Sequence, residues 1–167
     1  MASRVTIARL SQTDCAEFIA AAKASRRLHA SWVSPPLTAA AFRAVLKSKP
    51  SPGNFLFAIR RRDTRALVGC ANITNIVRGN FQSGYLGYHA FAGHARQGLM
   101  TEGLKMVVRH AFSELGLHRL EANIQPRNAA SIALVRACGF SREGFSPRYL
   151  KIRGRWQDHE HWARVAR

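Results

Sequence analysis

Apolar and polar positions alternate with two different periods along this chain, and the changes of period mark its elements. Val5-Thr6-Ile7-Ala8-Arg9-Leu10 alternates like a strand. Ser11, with Asp14 three residues on, predicts a helix start, and Phe18, Ile19 and Ala22 share that helix's inner face. Pro35-Pro36 breaks the chain, and Thr38 is placed to cap a second helix through about Leu46. Lys47 to Asn54, carrying Pro50, Pro52 and Gly53, reads as a loop.

Three strand-like runs come next: Phe55 to Arg61, Ala66 to Val77 and Tyr85 to Phe91. Turns at Asp63–Arg65 and at Gly79-Asn80 join them, and such short connections predict an antiparallel meander. The period then becomes 3.6. Leu104, Val107, Val108, Ala111, Phe112 and Leu115 form a helical stripe that Gly116 ends. His118 to Ile124 alternates again, with Leu120, Ala122 and Ile124 on one face and Arg119, Glu121 and Asn123 on the other. Asn128 is placed to cap a helix from Ala129 to Ala137, which Gly139 ends. Two further strands, Phe140 to Ile152 and Trp156 to Ala163, meet at Arg153-Gly154. The order β-α-α-β-β-β-α-β-α-β-β predicts an α+β fold: a single mixed sheet flanked by helices. A parallel crossover between Tyr85–Phe91 and His118–Ile124 is expected within it.

Composition narrows the function classes. The 167 residues suit one domain over 1–167, and 47% apolar with 21% charged residues is globular. No apolar run approaches the roughly 20 residues of a bilayer span. Met1-Ala2-Ser3-Arg4 lacks a signal peptide's apolar stretch. Three cysteines without a CxxC pair argue against a disulfide scaffold or a thiolate zinc site. A cytoplasmic protein with no membrane partner is expected, as monomer or homodimer. Charge stands apart: 26 Lys and Arg against nine Asp and Glu give +17. Such an excess favours polyanions, namely rRNA or ribosomes, phosphorylated cofactors or acidic peptides, unless it only solvates the surface.

The densest chemical signal runs from Gly84 to Glu102, where a strand enters a short loop containing Gly93 and Gly98 just before the long helix. Free N–H groups in a helix's first turn and the positive end of its dipole attract an anion. Gly98 would allow close backbone approach, and Arg96 would add charge. The loop matches neither GxGxxG nor GxxxxGK[ST].

Tyr85-Leu86-Gly87-Tyr88, Gln97-Gly98-Leu99-Met100-Thr101-Glu102, Leu120-Glu121-Ala122, Pro126-Arg127-Asn128-Ala129-Ala130-Ser131-Ile132 and Gly139-Phe140 with Glu143-Gly144 occur in that order. This series resembles the GNAT superfamily of acetyl-CoA-dependent N-acetyltransferases. Within it the chain is similar to the RimJ/RimL-like branch, which acetylates N-terminal amines of ribosomal proteins, and Gly154-Arg155-Trp156-Gln157-Asp158-His159 fits that branch too. The likeness is densest from Tyr85 to His159.

The resemblance implies the GNAT fold, acetyl-CoA as cosubstrate with no metal, and direct transfer to a primary amine such as a protein N-terminus. It implies that Arg96, Gln97, Gly98, Leu99, Met100 and Thr101 cradle the pyrophosphate through backbone N–H groups. Pantetheine would lie between splayed strands near Asn128 and Ser131, with an oxyanion-stabilising N–H from Ala90 or Phe91. Ala95 and Met100 depart from the family's loop pattern, Met100 adding bulk that would narrow the slot. Many relatives protonate the leaving thiolate with a tyrosine where this chain has Val135, so Ser131, one turn earlier, is the substitute candidate; its alternative is a plain solvated helix serine.

Of the nine acids, Glu121 on the polar face of a cleft strand is the candidate for base or for acceptor binding; its alternative is a simple pair with Arg119. Asp158 and Glu160 are second candidates for gripping the acceptor's ammonium, while Glu102 is expected to cap its helix. His159 and His161 share a strand face but lack a third metal ligand. Other readings are a small-amine acetyltransferase, or a catalytically silent RNA- or ribosome-binding module.

Overall fold

The computed structural model describes residues 3–47 and 54–167. Most of the loop expected between Lys47 and Asn54 falls outside those residues. The elements are β1 (Val5–Arg9), a 3-10 turn (Gln12–Asp14), α1 (Cys15–Ala24), α2 (Arg26–His29) and α3 (Ala39–Lys47), then β2 (Phe55–Arg61), β3 (Leu67–Val77) and β4 (Ser83–Ala90). A second 3-10 turn (Ala92–His94), α4 (Leu99–Ser113), β5 (Arg119–Ile124), α5 (Ala129–Ala137), β6 (Ser141–Ile152) and β7 (Arg155–Val165) follow.

The seven strands form one mixed sheet in the order β1-β2-β3-β4-β5-β7-β6. All neighbours are antiparallel except β4 and β5, which run parallel with α4 as their crossover. The α+β class and the parallel pair agree with the sequence pattern. The order at the far edge adds something the pattern did not contain: β7 lies between β5 and β6.

Each face of the sheet has its own core. Under α4 and α5, Ile59, Val68, Ile73, Leu104, Val107 and Leu120 are fully buried. Under the α1–α3 segment, Phe18, Ala22, Phe42, Ala58, Cys70 and Phe91 pack together. The start of α1 follows the sequence signal, since Asp14 takes the Ser11 N–H at 2.7 Å in a capping box. Asp14 also accepts from Arg60 at 2.6 Å, which ties the turn to β2. The four-residue helix α2 was not expected. It carries no apolar period, and what holds it is tertiary: the Ala92 N–H donates to Ser25 Oγ just before the helix, and His29 reaches Ala90 O.

Candidate functional site

Among the described residues, β4 and β5 pair at three rungs: Ser83↔Arg119, Gly84↔Leu120 and Tyr85↔Glu121. Beyond them β4 continues to Ala90 on β3, and β5 continues to Ile124 on β7, so the facing edges open into a wedge. Buried backbone amides require partners, so an open edge inside a sheet is a place for an extended ligand. The Phe91 N–H is already donated to Val68 O at 2.9 Å. Strand alternation therefore turns the N–H groups of Tyr88 and Ala90 towards the wedge. Of the two residues expected to offer an oxyanion donor, Ala90 turns its N–H to the opening, while Phe91 has its N–H engaged and its side chain buried in the core below α1. The Ala90 carbonyl is taken by His29 Nε2 at 2.7 Å, and the Ala92 N–H donates to Ser25 Oγ at 2.9 Å. The α1–α2 segment thereby fixes the end of β4.

The loop after β4 delivers the α4 N-terminus beside this opening. Arg96 and Gly98 have φ of 59° and 75°, so the chain turns sharply before the helix, and no side chain caps it. Glycine is suited to the second of these. Glu102 N→Gly98 O at 3.2 Å opens the helical ladder, which leaves the N–H groups of Leu99, Met100 and Thr101 without helical partners. Arg96, Gln97 and Gly98 are exposed. Leu99 and Met100 point their side chains into the core, with Met100 against Gly69 of β3, so its bulk does not narrow the loop and these two residues turn only backbone groups outward. Glu102 does not cap the helix as expected. It accepts the Arg4 N–H at 2.8 Å and pairs with the Arg4 guanidinium at 2.6 Å, contacts that hold its carboxyl below the ordinary range. Arg4 also donates to Gln97 O at 3.0 Å and so braces the loop from the N-terminal side.

Opposite β4, α5 supplies the other wall. Asn128 Oδ1 accepts the Ser131 N–H at 3.1 Å and caps α5. Ser131 Oγ lies 2.6 Å from the Tyr88 hydroxyl, so a hydrogen bond crosses from β4 to α5. Burial pushes the Tyr88 phenol up, which keeps its proton in place. Tyr88 was not singled out from sequence, although alternation with Leu86 and Ala90 already set it on the α5 side. Val135 is fully buried core.

The second face of the wedge is made of polar side chains. Gly87 lacks a side chain where a Cβ would stand 2.6 Å from Asn72 Oδ1, so the Asn72 amide lies across β4. On β5, Glu121 accepts from Arg119 Nε at 2.7 Å, and Arg119 reaches on to Glu143, which chiefly holds the guanidinium in its charged form. Asn123 Oδ1 lies 2.7 Å from His161 Nδ1, and His161 Nε2 lies 2.8 Å from Ser146 Oγ. Tyr149 sets its ring edge-on to His161 at 4.6 Å between centroids. A β6 bulge between Ser146 and Leu150 aims these groups, and there Pro147 has no N–H for the ladder and Arg148 has φ of 49°. Sequence reasoning noted His161 only as half of a histidine pair. Asp158 and Glu160 are engaged elsewhere, with the Arg148 N–H at 2.8 Å and with Trp162 Nε1 at 3.0 Å.

A strap of residues 31–36 passes over this face. Gln125 donates to Ser31 O at 3.3 Å, and Arg153 at the β6–β7 turn donates to Ser34 Oγ at 3.2 Å. Beneath it a cavity of about 180 Å³ is lined by Phe18, Val33, Pro36, Phe42, Asn72 and His89 among others. Among the described residues His89 Nε2 is buried with no hydrogen-bond partner, and burial pushes this imidazole down to about 3, so it is neutral. The larger concavity, about 1480 Å³, lies on the exposed side of α4 beside Lys105, Arg109 and Arg164 and contains none of the expected site residues.

The sequence matches the family model described as an acetyltransferase (GNAT) domain over residues 4–141. It is 38% identical over 104 residues to the probable N-acetyltransferase YjcK of Bacillus subtilis, covering 62% of this chain and 58% of that protein. It is also 38% identical over 105 residues to the [ribosomal protein uS5]-alanine N-acetyltransferase of Escherichia coli, covering 63% and 54%. The matched part of the chain thus spans just over half the length of these relatives. Among solved structures, Mycobacterium smegmatis RimJ in complex with CoA-disulfide superposes with a TM-score of 0.89 at 25% identity, covering 97% of this chain and 82% of that one.

Proposed function

The chain belongs to the GNAT acetyltransferase family, and on that premise we propose that it transfers the acetyl group of acetyl-CoA to a primary amine, the N-terminal α-amine of a protein such as a ribosomal protein. The observation that carries this reading is the parallel β4–β5 pair that opens after Tyr85 and Glu121, beside an uncapped helix N-terminus. An open strand edge suits the amide-bearing pantetheine arm, and bare N–H groups suit a pyrophosphate. Residues Arg96 to Thr101 would hold the phosphates, with Leu99 and Met100 acting through backbone alone. Asn128 keeps the first turn of α5 in place beside the arm.

Acetyl-CoA supplies an acyl group activated as a thioester; the protein's residues supply the rest. The Ala90 N–H stabilises negative charge on the acyl oxygen as the amine adds. The linked hydroxyls of Ser131 and Tyr88 give a proton to the departing sulfur. Glu121, already paired with Arg119, serves as an anion that attracts the acceptor's ammonium. The strap and the cavity beneath it, which no carboxylate lines, suit an N-terminal residue with a short side chain better than a polycation. Relatives named for uS5 alanine acetylation support the same acceptor class. The basic surface suits encounters near rRNA, in a cytoplasmic setting.

The test is a panel of acceptors incubated with acetyl-CoA and read by mass spectrometry. It comprises a peptide with a free N-terminal alanine, the same peptide blocked at its N-terminus but containing lysine, and spermidine. Modification confined to the free N-terminus is the expected result. Acetylated spermidine with an untouched peptide would transfer the function to small amines, and salt-sensitive RNA binding without any acetylation would favour a silent binding module.

A further inference from the structure

On the acetyl-transfer reading the acceptor approaches the polar face of the wedge, and the outer end of that face carries charge of one sign. Residues 18–62, which include the strap, and residues 144–157, which form most of the β6–β7 hairpin, contain no Asp or Glu. The hairpin stretch instead carries Arg148, Lys151, Arg153 and Arg155, all exposed. Among the described residues none of the four is in an ion pair. Arg153 meets neutral groups of the strap, Ser34 Oγ at 3.2 Å and Val33 O at 3.5 Å, so its charge is not compensated there. The register shifts of this hairpin fall on β6, and β7 alternates regularly. Arg155 and Gln157 therefore share a face with His159 and His161, the face on which His161 meets Asn123. Asp158, the next acid along β7, alternates to the opposite face and takes the Arg148 N–H.

The strand registers set how far these cations stand from the chemistry. Tyr85↔Glu121 on the parallel pair and Ile124↔Glu160 on the next put Ala90 level with Asp158 along the sheet. Arg155 lies three residues further out on β7, about 10 Å along the strand, and Arg153 follows at the turn. An extended polypeptide whose first nitrogen stands at Ala90 brings its third to fifth residues to that height. We propose that Arg153 and Arg155 select acceptor chains whose third to fifth residues are acidic. The proposal rests on the acetyl-transfer reading and names the acceptor's sequence class within it. Two guanidinium groups at the rim complement carboxylates that follow a cationic N-terminus. Those carboxylates also offset the repulsion between an ammonium and a protein of charge +17. Two cations at the end of one hairpin suit a short extended segment, whereas a nucleic acid would engage the basic surface as a whole.

Three peptides with a free N-terminal alanine, carrying Glu, Gln or Lys at their third to fifth positions, test this in steady-state acetylation by the full chain. KM should rise about tenfold from the Glu peptide to the Lys peptide with kcat little changed, and the gap should narrow in high salt. Arg155→Glu leaves the bond between Arg153 and the strap in place and should weaken the preference. Arg153→Glu combined with Arg155→Glu should reverse it, and Lys at both positions should keep it. Lys105→Glu with Arg109→Glu, on the exposed side of α4, makes the same change of net charge away from the acceptor face and should leave the preference as it was. Equal KM for the three peptides, or a preference lost equally in the α4 variant, overturns this proposal and leaves acetyl transfer standing. Inhibition by RNA that the hairpin variants relieve, with no preference among peptides, overturns it in favour of a nucleic-acid contact. Absence of acetylation of every peptide overturns the transfer reading and this proposal with it.

Discussion

The two sides of the β4–β5 wedge are built from different materials. On the α4–α5 side the functional groups are mostly backbone: N–H groups of Tyr88, Ala90 and Leu99–Thr101, supported by a glycine with positive φ. On the other side they are side chains from four strands: Asn72, Asn123, Ser146 and His161. The backbone side can hold any ligand with the right spacing of amides and phosphates. On the proposed reading, the side-chain side selects what reacts with it.

Breaking the hydroxyl link between the walls should have the largest effect. Ser131→Ala and Tyr88→Phe should each lower kcat about 100-fold if they protonate the leaving sulfur. Because the two share one hydrogen bond, the double variant should be little worse than either single one, and a rate comparison across the four proteins checks this. Full additivity would mean that the hydroxyls act separately.

The same contrast explains what was legible in the sequence. The backbone side is local in the chain: strand, loop, Gly98 and helix follow within twenty residues, so periodicity and glycine placement located it. Elements with strong patterns were found with their observed bounds, as Phe55–Arg61 and Ala129–Ala137 show. The side-chain side joins residues 72, 123, 146 and 161. Alternation put Asn123 on the polar face of its strand and His161 on one face with His159, but it did not tell that β7 inserts between β5 and β6 or that β6 bulges at Pro147. Asn123 and His161 become partners only through that strand order. Helix α2 escaped for a related reason, since its support comes from Ala90, far along the chain. Glu121 was read correctly as lying on the polar face, yet whether its charge was free depended on where the Arg119 side chain came to rest.

Replacing Gly98 with Val should raise the acetyl-CoA KM about tenfold, because a left-handed residue with a branched side chain costs roughly 1–2 kcal/mol and intrudes on the phosphate loop. Steady-state kinetics should show the acceptor KM unaffected. Gly87→Ala sharpens the contrast from the other side. Its Cβ would displace the Asn72 amide, so the acceptor KM should rise several-fold while acetyl-CoA affinity measured by calorimetry holds.

The smallest effect belongs to Arg4→Ala, which removes the brace on Glu102 and Gln97. An exposed pair of this kind contributes a few tenths of a kcal/mol, and the loss should shrink in high salt. The folded-state pKa of Glu102 is depressed, so its contribution is full at neutral pH and disappears as pH falls through the carboxylate range. The difference in Tm between the two proteins should therefore close in acid. A gap that widened there would assign the stabilisation to another group.

Titration calorimetry of the purified protein with acetyl-CoA, at low and at moderate salt, tests the central claim most directly. A backbone site formed by the wedge and loop predicts one-to-one binding that survives moderate salt and weakens in Gly98→Val. Binding that is absent, or that fades with salt as any polyanion would on a surface of charge +17, would contradict it.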